Sequence, residues 1–141
     1  IVRVRKDEKI RTSFQLKDAI AKYLPRQKEN KVLAQVFQAI RIEVNGEMEA
    51  LKEFLRQAVE VIRPGGRLSV ISYHSLEDRM VKRFIRREYQ GEQLPPDLPV
   101  VQPQHRPRLK PLGKAIHPGR DEVDHNPRAR SAVLRVAERL Q

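Results

Sequence analysis

The residues in this sequence best suited to chemistry begin with His74-Ser75-Leu76-Glu77-Asp78, a polar cluster that follows the apolar run 68–73. In open α/β sheets, ligands bind beyond the carboxyl ends of the strands. His74 and Ser75 are therefore candidates for the rim of a substrate pocket, where the imidazole could hydrogen-bond a base or a phosphate. Each also has a purely structural reading. Ser75, with Asp78 three residues on, matches a capping box, and that reading is preferred for it. His74 stands evenly between the two roles. A serine hydrolase is a poor reading, because adjacent side chains cannot easily form the nucleophile–base bond and no nucleophile elbow is present.

A second group is Arg79, Lys82, Arg83, Arg86 and Arg87. At about 100° per residue these cations cover most of one half of a helix, and Leu76, Met80, Val81, Phe84 and Ile85 cover the other. Few acidic residues lie near them, so they repel one another unless an anion is close. Contact with RNA phosphates is preferred over a merely solvated face, and such contacts position RNA without reading its sequence. A third group is Asn126, Arg128 and Arg130. Asn126-Pro127 disfavours helix and sets a turn, after which both arginines are expected on one side of a starting strand. They suit RNA phosphate or pairing with Asp121, Glu122 or Asp124, and the two readings are balanced. His74, His105, His117 and His125 have no metal-ligand spacing, so no metal is expected. No catalytic residue can be named.

These groups need elements to hold them. Thr12 and Ser13 precede apolar residues at helical spacing, with Pro25 as the stop. Residues 25–31 read as a polar linker and 31–44 as a helix. Asn45-Gly46 breaks that helix, and Asn45 is expected to cap the next. Met48, Leu51, Phe54, Leu55, Ala58, Val59 and Ile62 form that helix's buried stripe, and Pro64-Gly65-Gly66 ends it. Residues 68–73 read as an inner strand covered on both faces, followed by a helix over 75–89. Five prolines in 91–108 exclude regular structure there. Residues 109–116 and 131–140 are expected strands, with a polar loop over 118–130. The order is an α/β pattern.

The bulk composition narrows the partners. The 141 residues carry 29 Lys+Arg against 18 Asp+Glu, a formal net charge of +11. That excess favours a polyanion, usually nucleic acid. The absence of cysteine excludes disulfides and Cys-ligated metal, and fits a cytoplasmic setting. No apolar run is long enough to span a bilayer, so no membrane role is expected. With no Trp and 5% aromatics, an extensive base-stacking platform is not expected. The start, IVRVRK, reads as the middle of a longer protein.

Four segments carry a family resemblance: IRTSFQLKDAI (10–20), VFQAIRIEVNGEMEALKEFL (36–55), RPGGRLSVISYHSLEDRMVKRF (63–84) and DHNPRARSAVLRVAER (124–139). In these the chain resembles the C-terminal part of the 16S ribosomal RNA cytosine-N4 methyltransferases of the MraW/RsmH type. The resemblance implies the C-terminal half of a class I, Rossmann-like, S-adenosylmethionine-dependent fold with part of an all-helical insertion domain. Residues 1–44 would be the second half of that insertion, and 45–141 the end of the catalytic domain. The implied reaction methylates a cytidine amine in the decoding region of the small ribosomal subunit.

The family's Gly-rich cofactor loop and ribose-binding acidic residue belong to an N-terminal half that this sequence lacks, so the chain alone is expected to be inactive. Gly65-Gly66 precedes a strand instead of following one and cannot cradle the cofactor. The family's sheet order would place the last strand between the two before it. The strand at 67–73 would then have an open edge, suited to the N-terminal half or to self-association. A non-catalytic RNA-binding module on the same half-fold is the alternative, and a scaffold domain a weaker third.

Overall fold

The computed structural model describes residues 1–90 and 106–141, which divide into two compact units, Ile1–Glu47 and Met48–Gln141. The proline-rich stretch expected to be irregular lies mostly outside the described residues.

The first unit is helical. After the short α1 (Val2–Asp7) comes α2 (Ser13–Ala21). Thr12 caps α2: its Oγ1 accepts the Gln15 N–H at 3.2 Å, and Gln15 Oε1 accepts the Thr12 N–H at 3.1 Å. This satisfies two backbone donors that a helix start leaves open. The expected linker is largely structured, as a 3₁₀ turn over Arg26–Lys28 that leads directly into α3 (Glu29–Asn45). Gly46 ends α3 at φ 60°, the left-handed conformation that glycine adopts without a Cβ penalty. Asn45 therefore belongs to α3 and does not cap the next helix. Its side-chain amide instead donates to Glu47 Oε1 at 3.1 Å.

The second unit holds a three-stranded sheet with helices packed against it. In α4 (Glu47–Val61), Leu55, Ala58 and Val59 are buried, with Leu51 and Ile62 packed beside them. Phe54, expected in this stripe, is 53% exposed. At 100° per residue it falls just outside the arc the others share. The Pro-Gly-Gly turn leads into β1 (Arg67–Ser72), and α5 spans Ser75–Gln90. β2 is only Leu109–Pro111, and β3 is Val133–Arg139. The expected strand over 109–116 stops early because Pro111 cannot donate to a ladder and Gly113 turns at φ 75°. Pairing resumes at one bridge, Ile116 to Leu134. The expected loop over 118–130 contains α6 (Arg120–His125) and a 3₁₀ helix over Pro127–Ser131, so the last strand begins later than expected.

The sheet order is β1-β3-β2, with both pairings antiparallel. β1 is thus an edge strand, as the resemblance implied. Leu68 sits opposite Ala137, and these join Leu55, Val59, Val81, Phe84, Ile85 and Leu109 in one core. Each fully buried Leu or Val contributes about 1.5–3 kcal/mol. Only this face is well covered. On the other, Ile71 lies opposite Leu134, which also bridges Ile116, and Ile71 and Ile116 are more than half exposed. The expectation of a strand covered on both faces therefore fails among the described residues.

Arg108 ties the helices to β2. Its Nε donates to Glu88 Oε2 at 2.8 Å and its Nη1 to Glu60 Oε1 at 2.7 Å. Glu88 is 7% exposed in the last turn of α5, where both burial and the helix dipole disfavour a carboxylate. The guanidinium offsets that cost.

Candidate nucleic-acid interface

β1 ends at Ser72 and the chain turns through Tyr73 and His74 into α5. The cap of α5 is His74, not Ser75. The Glu77 N–H donates to His74 Nδ1 at 3.4 Å, and the Tyr73 and His74 N–H groups both donate to Glu77 Oε2, at 2.9 and 3.3 Å. This is a capping box with imidazole in place of the usual hydroxyl and Glu77 at the third helical position. Ser75 is the first helical residue and is exposed. The chain enters the helix one residue earlier than the Ser75/Asp78 pattern suggested.

His74 is not consumed by capping alone. Accepting at Nδ1 leaves the ring proton of neutral His74 on Nε2. That atom is buried without a hydrogen-bond partner among the described residues, 3.3 Å from Glu77 Oε1.

Asp78 is occupied elsewhere. Arg135 of β3 donates to it from Nε at 2.7 Å and from Nη2 at 3.1 Å. The Arg135 guanidinium holds the Asp78 carboxyl below the usual carboxylate range, against an opposing effect of burial. No local pattern could have signalled this pair.

All five cations of α5 are exposed. Arg86 donates to Gln90 at 2.8 Å, and Arg87 lies 3.7 Å from Glu88 and 5.7 Å from the centre of the Phe84 ring. Arg79, Lys82 and Arg83 have no ion pair among the described residues. The stripe keeps its charge available.

Asn126 caps the 3₁₀ helix, its Oδ1 accepting the Arg128 N–H at 3.2 Å. Arg128 and Arg130 are exposed and make no ion pair with Asp121, Glu122 or Asp124 among the described residues. They sit in that 3₁₀ helix, not at a strand start. At about three residues per turn, positions two apart diverge, so the arginines do not share one side as expected.

The sheet register gathers these segments. Ser72 lies opposite Val133, so the His74 turn leaves β1 at the same end of the sheet where the 127–131 helix enters β3. The cofactor expectation meets no matching cradle among the described residues. Gly65-Gly66 precedes β1, and a Cβ on Gly66 would lie 2.6 Å from Ile62 Cγ2 and 2.8 Å from the Arg63 carbonyl. Gly66 is therefore required by the tight turn after α4, whose Arg63 carbonyl also accepts the Gly66 N–H at 2.8 Å.

No described helix is long and apolar enough to cross a membrane. The second unit is thus a mixed α/β fold whose three-stranded sheet carries a polar turn and an exposed cationic helix face, an arrangement suited to contact with nucleic acid. The chain belongs to the MraW methylase family, whose family model matches residues 1–140. It is 51% identical over 141 residues to a protein of Flavobacterium johnsoniae named ribosomal RNA small subunit methyltransferase H, covering 99% of this chain and 45% of that protein. Proteins of the same name are similar in Shewanella loihica, at 56% over 129 residues (89% of this chain, 41% of that protein), and in Thioalkalivibrio sulfidiphilus, at 51% over 142 residues (99% and 45%). The chain spans under half the length of these relatives.

Proposed function

We propose that this chain is the C-terminal part of an S-adenosylmethionine-dependent methyltransferase that N4-methylates a cytidine in the decoding region of 16S ribosomal RNA. The observation that carries the reading is the exposed cationic face of α5, on which Arg79, Lys82 and Arg83 have no ion pair among the described residues, in a chain about half identical to ribosomal RNA methyltransferases. Residues 1–44 act as the second half of a helical insertion that recognises substrate, and 45–141 complete a Rossmann-like catalytic domain. The enzyme works in the cytoplasm on the small ribosomal subunit.

In this reading Arg79, Lys82, Arg83, Arg86 and Arg87 hold RNA phosphates, joined by Arg128 and Arg130. His74, Ser75 and Asn126 line the substrate pocket rim. His74 caps α5 through Nδ1, and its partly buried ring forms part of the wall that the target base meets. Holding the cytidine amine in line with the methyl donor supplies most of the rate, and little acid–base help is needed. The donor's cradle comes from the N-terminal half, which docks along the open edge of β1 and the uncovered Ile71/Leu134/Ile116 face. Without that half the edge and face favour self-association, and the chain is inactive.

The test compares methyl transfer to small-subunit RNA by the full-length protein, by this chain, and by this chain with its N-terminal half supplied. Activity is expected from the first and third only. RNA affinity across a salt series should fall with a slope of about −0.7 per phosphate contact. Salt-dependent RNA binding with no methyl transfer from any combination would favour a non-catalytic RNA-binding module.

A further inference from the structure

A groove of about 550 Å³ lies between α4 and α5, entirely within the second unit. Its α5 wall carries Arg79, Arg83 and Arg87, four residues apart and so in one row, spaced about 6 Å along the helix axis. Its α4 wall carries Lys52 and Arg56, but these are matched by Glu49 at 3.6 Å and Glu53 at 2.7 Å. On α5, Arg87 lies 3.7 Å from Glu88, so the charge of the groove that has no ion pair among the described residues is that of Arg79 and Arg83. Between the walls the floor is apolar, formed by Leu55, Leu76, Met80 and Phe84. Leu76 is 47% exposed there, and Met80 is half-buried.

Phosphate contact alone explains the arginines and leaves the floor unexplained. A duplex offers only its phosphates to such a surface, because its bases are stacked inside. A single strand with one base unstacked offers both parts: an anionic backbone for the row and an apolar ring for the floor. The one-turn spacing of the arginines is also of the order of the separation between successive phosphates on an extended strand. Apolar contact of this kind tolerates any sequence, because every base has an apolar face to remove from water.

We infer that the α4/α5 groove binds single-stranded RNA with one nucleobase splayed onto Leu76 and Met80 and its phosphates along Arg79, Arg83 and Arg87. This rests on the RNA-modifying reading above and adds an apolar base site beside the cationic row. An acidic amphipathic helix has the same two-part chemistry and is the competing occupant.

The experiment uses the full-length protein and a short single-stranded RNA carrying 2-aminopurine at an interior position, alone or annealed to its complement. Binding of the single strand should raise the 2-aminopurine emission as the base leaves its stack. Leu76→Gln should abolish that rise and weaken the single strand about tenfold with the salt slope unchanged, while leaving duplex affinity as it was. Leu76→Met should behave as wild type, which separates the loss from misfolding. Arg83→Ala should lower the slope by about 0.7. Wild-type emission and affinity in Leu76→Gln would overturn the groove while leaving the RNA reading intact. So would a Glu/Leu helical peptide that binds in a Leu76-dependent way when RNA does not. Absence of any salt-dependent RNA binding in the wild type would overturn both.

Discussion

Asp78, in the first turn of α5, and Arg135, in the central strand β3, form a two-point ion pair at 2.7 and 3.1 Å across 57 residues of sequence. Both side chains are about one-fifth exposed. The pair fixes the start of the cationic helix against the sheet, toward the end of the β1–β3 ladder where the chain leaves β1 for the His74 turn and enters β3 from the 127–131 helix. Such charge-assisted, two-point geometry is stronger than an ordinary surface pair.

Replacing Asp78 by Asn should therefore cost about 1–2 kcal/mol at neutral pH, read from urea unfolding. The pH dependence follows from the direction of the shift. The Asp78 carboxyl is held below its ordinary value in the folded state, so its contribution is complete above that value and lost as pH falls through the lower folded one. The wild type should lose stability below about pH 4, and Asp78→Asn should lose less over the same range. Equal acid sensitivity in the two proteins would show that the pair does not set it.

His74 carries two separable roles. As the cap of α5, its replacement by Ala should cost about 1 kcal/mol, and Asn, a good cap, should restore that stability. Asn does not reproduce the imidazole ring that the proposed function places in the pocket wall. Methyl transfer by His74→Asn should therefore stay well below wild type although its melting temperature recovers. Full activity in the Asn variant would reduce His74 to a cap.

The two glycines before β1 should respond differently to Ala. Gly66→Ala places a Cβ 2.6 Å from Ile62 Cγ2 and 2.8 Å from a backbone carbonyl, which cannot move away cheaply. A loss of about 2–3 kcal/mol is expected. Gly65 has open space but sits at φ 79°, so Gly65→Ala should cost about 1–2 kcal/mol. Thermal unfolding of the two variants gives the ranking, and a smaller loss at Gly66 would contradict the tightness of the turn between α4 and β1.

Much of this protein was legible in the sequence because the deciding forces are local. Apolar spacing marked α2, α3, α4 and α5, and Pro64-Gly65-Gly66 marked the turn into β1. The alternation of charge around α5 put its arginines and Lys82 on the solvent side, where they are found. Thr12-Ser13 marked the start of α2, and the structure gives the cap to Thr12.

The tertiary structure decided what depends on partners distant in sequence. His74 took the cap that Ser75 seemed to offer because Glu77 closes the box around the turn, while Asp78 is drawn to Arg135. The β1–β3 register made that possible, and no spacing along the chain encodes it. The same register set the His74 turn and the 127–131 helix at one end of the β1–β3 ladder. Arg108 found Glu88 and Glu60 only because β2 runs beside α5, where a buried carboxylate must have a cation. Periodicity fixes which face of a helix is apolar. Which charged residues meet across the fold is fixed by packing, because desolvation makes their cost depend on neighbours that the local sequence does not contain.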